Sequence, residues 1–312
     1  MYIFIVNPIA GFGRAKKMYE EIVQSPIFTQ LQTKTYHTKY HGHAKTIANE
    51  INEKVIGHVV QGIVIMGGDG TLHEVVNGLR LRHLPVSFLP GGSGNDFQRG
   101  MNITNDPNET LKAIKNNTHT IDYWLGTYKI PNQLKQRYFV NCLGFGFDAV
   151  VAKSANQPRY KGFFNRFLIG SFVYLFALLK ELIFFKPISI TVSLDGVEKK
   201  FSQCFLFIVN NHPYIGGGMK INPHAQNNET EFSIIIVDSI SKWKVFALFS
   251  TIFFGQHLRY REVTTFQAKN IKVSAKESVL FQADGEPSYT TYCSIKKPQE
   301  PMSMVTVRKD EK

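Results

Sequence analysis

Three glycine-rich stretches and one acidic turn hold the residues that could do chemistry. "GGDG" (Gly67, Gly68, Asp69, Gly70) closes an apolar run and opens a helical pattern. Its glycines admit φ > 0 and a ligand close to the main chain. Thr71 and Glu74 have the T-x-x-E spacing of a capping box, which predicts a helix from about Thr71 with its positive end at the turn. That geometry suits a phosphate. By itself, GGDG is equally a tight turn whose aspartate satisfies backbone donors. "NPIAGFG" (Asn7 to Gly13) and "PGGSGNDFQRG" (Pro90 to Gly100) are two further glycine-rich loops. Asp69 and Asp96 offer hard carboxylate oxygens that suit Mg2+. In "ADGE", Asp284 and Glu286 straddle Gly285 at the end of a strand-like run. A carboxylate there could take the proton of an attacking hydroxyl, although D-G-E alone is most often a β-turn.

The elements that must position these residues can be read from periodicity. "YIFIVN" is strand-like and "GRAKKMYEEIVQ" helical; "LQTKTYHTK" suggests a second strand. Ala44, Ile47, Ala48, Ile51 and Val55 repeat at helical spacing, as do Leu72, Val75, Val76 and Leu79. "GIVIM" and "PVSFLP" are buried strands, and "DPNETLKAIKNN" is a helix. Strands alternating with helices imply a mostly parallel α/β sheet. Its three glycine-rich loops leave the carboxyl ends of strands, so they converge on one edge, where such sheets bind ligands. This is the expectation of a nucleotide or phosphate site.

Near Thr120 the texture changes. "QRYFVNCLGFGF", "ISITVSL", "FLFIVNN", "EFSIIIVD", "NIKVSA" and "VLFQAD" read as strands, with "LDGVE" as a hairpin turn. Helical stretches interrupt at about 160–185 and 241–256. The expected fold is an N-terminal α/β domain with a mostly parallel sheet and a C-terminal, mainly antiparallel β domain. The last strand, "MSMVTVRK", returns to the first domain. The boundaries are 1–122 plus about 299–312 for the first domain and 123–298 for the second.

Composition narrows the partners. The chain has 312 residues, 43% of them hydrophobic, which suits two domains of roughly 100–200 residues. A net charge of +12 favours an anionic partner. No nucleic-acid-binding module is recognisable, so nucleic acid is not expected. Cys142, Cys204 and Cys293 form no CxxC pair, which argues against zinc and a disulfide framework and for a reducing cytoplasm. The start lacks the n- and h-regions of a secretory signal. "FLIGSFVYLFALLKELIFFKP" is interrupted by Lys180 and Glu181, which favours a buried or membrane-facing helix over a spanning one. His37, His41 and His43 are expected at the surface or near phosphate, not in a metal set.

A Walker A loop, the protein-kinase motifs and a G-x-G-x-x-G opening a βαβ unit are all missing. Instead, "VNPIAGFG", "GGDGTLHEVVNGL", "PGGSGNDFQRG", "NHPYIGGGMKINPHA" and "FQADGE", in that order, resemble the diacylglycerol kinase-like lipid kinase family, closest to its soluble bacterial-type members. The resemblance spans nearly the whole chain, and the ordered set is far more specific than any single motif.

The resemblance implies that the second domain is a β-sandwich. It implies ATP-dependent, Mg2+-supported phosphorylation of a lipid hydroxyl, that of diacylglycerol or a related lipid. Asn7, Pro8, Ile9, Ala10 and Gly11 would line the nucleotide site, with Thr38 after the second strand. Gly67, Gly68, Asp69, Gly70, Thr71, Leu72, His73 and Glu74 would hold the phosphates. Gly92, Ser93 (where the family usually has threonine), Asn95 and Asp96 would complete the site. Asp69 would act in catalysis and, with Asp96, in the Mg2+ network. Asp284 or Glu286 would be the base, the choice being open. Where the family has an acidic, glycine-containing turn for a structural Mg2+, this chain has "QNNETEF"; Gln226, Glu229 and Glu231 would have to serve instead.

The resemblance further implies a lipid alcohol as acceptor. The basic charge fits peripheral contact with an anionic membrane, at its cytoplasmic face. A homodimer is admitted, with nothing in the sequence to set it. Two other readings stay open. One is a kinase for phosphatidylglycerol, a sphingoid or an isoprenoid lipid. The other is a catalytically silent nucleotide-binding regulator.

Overall fold

The computed structural model describes residues 1–54, 60–80, 84–131, 133, 135–156 and 180–309. The Phe-rich stretch expected as a helix at about 160–185 lies largely outside them. Contacts divide the chain into two compact units. The first is Met1–Leu125, Gly216–Gly218 and Pro298–Lys312; the second is Gly126–Ile215 and Met219–Lys297.

The first unit is a six-stranded sheet. Its strands are β1 (Tyr2–Val6), β2 (Thr33–His37), β3 (Gly62–Gly67), β4 (Val86–Pro90), β5 (Thr120–Tyr123) and β15 (Met302–Val305), in the order β2-β1-β3-β4-β15-β5. All neighbours are parallel except β15 and β5. The last strand does return, pairing beside β4. Strands β3 and β4 are buried along their whole length, as their unbroken apolar runs require. Helices α1 (Arg14–Ile22), α2 (Pro26–Thr29), α3 (His43–Lys54), α4 (Asp69–Gly78), α5 (Asp96–Gly100) and α6 (Pro107–Asn116) connect them. Pro26 and Pro107 sit in the first turns of α2 and α6, after the capping side chains of Ser25 and Asp106. One core joins Phe4, Val6, Val64, Met66, Leu89, Leu111 and Val305.

The second unit is a nine-stranded, antiparallel network. It comprises β6 (Gly126–Lys129), β7 (Arg137–Phe139), β8 (Cys142–Gly146), β9 (Ile188–Leu194), β10 (Val197–Asn210), β11 (Phe232–Asp238), β12 (Val263–Ala268), β13 (Asn270–Ala283) and β14 (Glu286–Lys296). Strand β9 pairs the first parts of β10 and β13, and β8 pairs their last parts. Each long strand shifts register in between, near Phe201/Cys204 and Ser274/Val279. The expected "NIKVSA" and "VLFQAD" strands are therefore one strand with an irregularity. "LDGVE" is the expected hairpin, with Asp195 and Gly196 both at positive φ (48° and 93°). The unit also holds helices α7 (Phe147–Ala155) and α8 (Lys242–Ile252) and a 3-10 turn at Gln256–Arg259.

Candidate functional site

Four loops leave the carboxyl edge of the first unit's sheet, after β1, β2, β3 and β4. Backbone bonds tie them: Asn7 N–H donates to Met66 O and Gly91 N–H to Gly67 O, both at 2.8 Å, and Thr38 N–H to Val6 O at 2.8 Å. The glycines let loops touch. A Cβ on Gly92 would lie 2.5 Å from Gly68 Cα, and one on Gly67 would lie 2.5 Å from Thr71 Oγ1. A Cβ on Gly70 would meet nothing. The φ > 0 expectation for the GGDG turn is not met: positive φ falls instead at Gly11, Phe12, Gly13 and Asn95. Close approach, not handedness, is what glycine answers at Gly67 and Gly68.

The capping box does not form either. Helix α4 starts at Asp69, with Gly68 as N-cap and no side-chain cap. Glu74 points elsewhere: Oε1 accepts from Gly42 N–H (2.8 Å) and Oε2 from Ala44 N–H (3.1 Å), which caps α3. Thr71 Oγ1 accepts from Asn7 Nδ2 at 3.0 Å. The N-cap of this ten-residue helix, Gly68, thus makes no side-chain hydrogen bond. Two buried oxygens nearby, Asn7 Oδ1 and Asn95 Oδ1, also have no partner. Such atoms call for a ligand with donors and negative charge, so this edge fits a nucleotide. Leu72 is buried in α4, and His73 O accepts from Asn77 Nδ2 at 3.0 Å. Pro8 and Ala10 are half-buried, while Ile9 and Ser93 are exposed.

Asp69 and Asp96 are brought together, but not as a cage. Asp69 Oδ2 accepts from Asp96 N–H (2.9 Å) and Oδ1 from Phe97 N–H (3.1 Å), capping α5. Asp96 Oδ2 accepts from Gly217 N–H at 2.8 Å, and Oδ1 lies 3.3 Å from Arg99 Nη1. Burial raises the Asp96 pKa, against hydrogen bonds from Gly217 and Gly218 and the Arg99 charge. Among the described residues no three His, Cys, Asp or Glu gather. The two carboxylates offer hard oxygens of the kind that Mg2+ takes. In the "QNNETEF" turn, Asn228 Oδ1 accepts from Thr230 N–H, Thr230 Oγ1 and Glu231 N–H (2.9, 3.1 and 2.9 Å). Gln226 O takes the Asn228 amide, and Glu229 is exposed.

In the second unit, Asp284 (φ 51°) and Gly285 (φ 87°) make the turn between β13 and β14. Three successive N–H groups surround the Asp284 carboxylate: Val140 to Oδ2 at 2.6 Å, and Asn141 and Cys142 to Oδ1 at 2.7 and 3.1 Å. Their engagement explains why "QRYFVNCLGFGF" breaks into β7 and β8 at Val140–Asn141. Glu286 is half-buried across the turn. Gly285 N–H donates to Gln282 Oε1 (2.7 Å), and Asn156 Nδ2 to Gly285 O (2.8 Å). Gln282 Nε2 donates to Asp148 Oδ2 (3.0 Å), and burial pushes the Asp148 pKa up to about 7. Buried His212 shares a 2.7 Å hydrogen bond with Asn141 Oδ1, and burial pushes its pKa down to about 4. Lys297 Nζ donates to Asn211 Oδ1 (3.0 Å) and lies 4.2 Å from the Phe232 ring centroid.

Sequence reading missed this supporting set. The available signal was polar Asn211 and His212 just past the apolar run "FLFIV", since most buried polar side chains are hydrogen-bonded.

Comparison with known proteins bears on the family and the two-part fold. Residues 1–125 match the model described as "Diacylglycerol kinase catalytic domain", and residues 141–298 that of "YegS C-terminal NAD kinase beta sandwich-like domain". The chain is 32% identical over 308 residues to "Putative lipid kinase YtlR" of Bacillus subtilis (strain 168), covering 98% of this chain and 99% of that one. It is 30% identical over 226 residues to a "Diacylglycerol kinase" of Mycobacterium tuberculosis (strain ATCC 25618 / H37Rv), covering 72% and 70%. A crystal structure of a diacylglycerol kinase from Bacillus anthracis str. Sterne matches with TM-score 0.70 at 21% identity, over 98% and 96% of the chains. At that identity the likeness speaks for the fold alone.

Proposed function

The chain belongs to the diacylglycerol kinase-like family of lipid kinases, and from that premise we propose that it transfers the γ-phosphoryl group of ATP to the hydroxyl of diacylglycerol or a closely related lipid. The observation that carries the nucleotide half is the α4 N-terminus without a side-chain cap, beside the unpartnered oxygens of Asn7 and Asn95. The four-loop edge holds the nucleotide, with α4 toward its phosphates. Mg2+ bound with those phosphates would offset their charge. Asp69 and Asp96 shape the loop that receives them and would offer the ion hard carboxylate oxygens.

In the transfer, a lipid O–P bond forms as the bond from the γ-phosphorus to the bridging oxygen breaks, and ADP departs with the bond's electrons. The hydroxyl proton goes to a carboxylate of the Asp284–Glu286 turn and from there to water. Asp284 is held by three N–H groups, which fix its position.

The test is transfer of labelled phosphate from ATP to a panel of diacylglycerol, phosphatidylglycerol, a sphingoid base, an isoprenoid alcohol and NAD. Asp69→Ala and Asp284→Ala serve as controls. Labelled diacylglycerol with wild type alone is expected. If wild type and both variants label nothing above blank, the kinase reading fails; labelling of a different acceptor moves the substrate assignment.

A further inference from the structure

Six of the twelve exposed large hydrophobic side chains among the described residues lie on two short segments of the second unit. They are Ile183 (63% exposed) and Phe184 (73%), and Trp243 (87%), Phe246 (54%), Phe253 (47%) and Phe254 (77%) on and just after α8. This is more than the scattered apolar exposure usual on a soluble surface. Helix α8 explains how they come to be outside. Its inner positions Val245 and Ile252 pack on the cluster that contains Leu182 and Phe185, and Leu248 is buried. Trp243, Phe246 and Phe253 then follow i, i+3 and i+10 along the opposite stripe. Lys242 Nζ donates to the main-chain oxygen of Ile183, which joins the two segments into one patch.

The charges around the patch are one-sided. Residues 180–186 and 241–262 carry six Lys and Arg against two Glu. Both carboxylates are engaged: Glu262 by Lys244 Nζ at 2.6 and 2.8 Å, and Glu181 by Ser154 Oγ at 2.8 Å. Lys180, Lys186, Lys242, Arg259 and Arg261 remain exposed around the aromatics. No helix among the described residues is long and apolar enough to cross a membrane.

We propose that the outer face of α8, with Ile183 and Phe184, docks this protein onto an anionic bilayer, lying in the headgroup region without crossing it. The proposal rests on the lipid kinase reading, which places the acceptor in a membrane. Aromatic side chains in a basic rim match the two demands of that surface, apolar burial and attraction to anionic lipid. A second copy of the chain is the poorer occupant, because an isologous pairing through this face would bring two positive rims together.

The test is sedimentation with vesicles of equal parts phosphatidylcholine and phosphatidylglycerol, against phosphatidylcholine alone. Wild type should bind the anionic vesicles, more weakly in high salt, with a blue shift of tryptophan emission that is absent from Trp243→Phe. The double variant Trp243→Ser/Phe254→Ser should lose roughly two orders of magnitude in partitioning. Lys242→Glu/Arg259→Glu should lose binding to anionic vesicles specifically. All substituted side chains are exposed, so phosphate transfer to a short-chain, monomerically dissolved diacylglycerol should be unchanged. Unchanged vesicle binding by the variants overturns the proposal. A concentration-dependent dimer without vesicles, abolished by the same variants, also overturns it. Vesicle binding without transfer to the short-chain lipid by wild type would sink the kinase reading and leave the docking surface standing.

Discussion

The carboxylate of Asp69 receives the backbone N–H of Asp96 at 2.9 Å. The two residues expected to share a metal are therefore joined as cap and capped, and the phosphate-side loop takes its shape from that bond. Replacing Asp69 with Ala leaves the N–H groups of Asp96 and Phe97 without their acceptor. It should cost about 1–3 kcal/mol of stability and abolish phosphate transfer. Asp69→Asn, which keeps one acceptor, should be milder in thermal unfolding. Equal stability of wild type and Asp69→Ala would refute the capping role.

Glu74 lies within a sequence motif that suggests a self-capping helix, yet it caps α3 through Gly42 and Ala44. Glu74→Ala should destabilise by about 1 kcal/mol, read from urea unfolding. The companion variant Thr71→Val should disturb Asn7 instead, its bonding partner, and raise the KM for ATP. A capping box would require the two substitutions to act as one.

Gly92→Ala places a methyl group 2.5 Å from Gly68 Cα, where only backbone can yield. The expected cost is about 1–3 kcal/mol, with loss of nucleotide binding in a calorimetric titration. Gly70→Ala meets no atom of the protein, so its stability should stay near wild type. If the edge holds phosphates, its nucleotide affinity should nevertheless fall.

The D-G-E turn separates two roles. Asp284→Asn turns an amide toward three N–H donors and should destabilise by about 2 kcal/mol. Glu286→Gln should reduce kcat while leaving the three N–H bonds to Asp284 in place. A Glu286→Gln enzyme with full turnover would assign proton acceptance to Asp284.

Lys297 supplies a pH signature. Burial lowers its pKa from 10.5 to about 7 in the folded chain, with Asn211 Oδ1 and the Phe232 ring beside the ammonium. Between those values the unfolded chain binds the proton more tightly than the folded one, so this group makes stability rise with pH from about 7 to about 10. Lys297→Met should remove that slope in urea unfolding series. A slope of the same size in the variant would assign it to other groups.

Element types and the chemistry-bearing positions were largely legible in the sequence. Unbroken apolar runs at β3 and β4 and helical spacing after them determined a parallel α/β sheet, and glycine-rich loops at strand ends determined which edge could bind. The ordered motifs were enough to suggest the family. These signals are local, because periodicity and turn chemistry act over a few residues.

Partners across the chain were not legible. Glu74 could have capped its own helix, and Asp69 and Asp96 could have met at an ion; which donors they reach depends on backbone placed 27 to 32 residues away. Asp284 is held by a segment more than 140 residues distant, and that hold splits what reads as one strand into two. The sequence by itself determined which side chains could donate, accept or carry charge. Tertiary structure decided which of them are spent on the fold's own backbone, because a buried N–H must be satisfied by whichever acceptor packing brings to it.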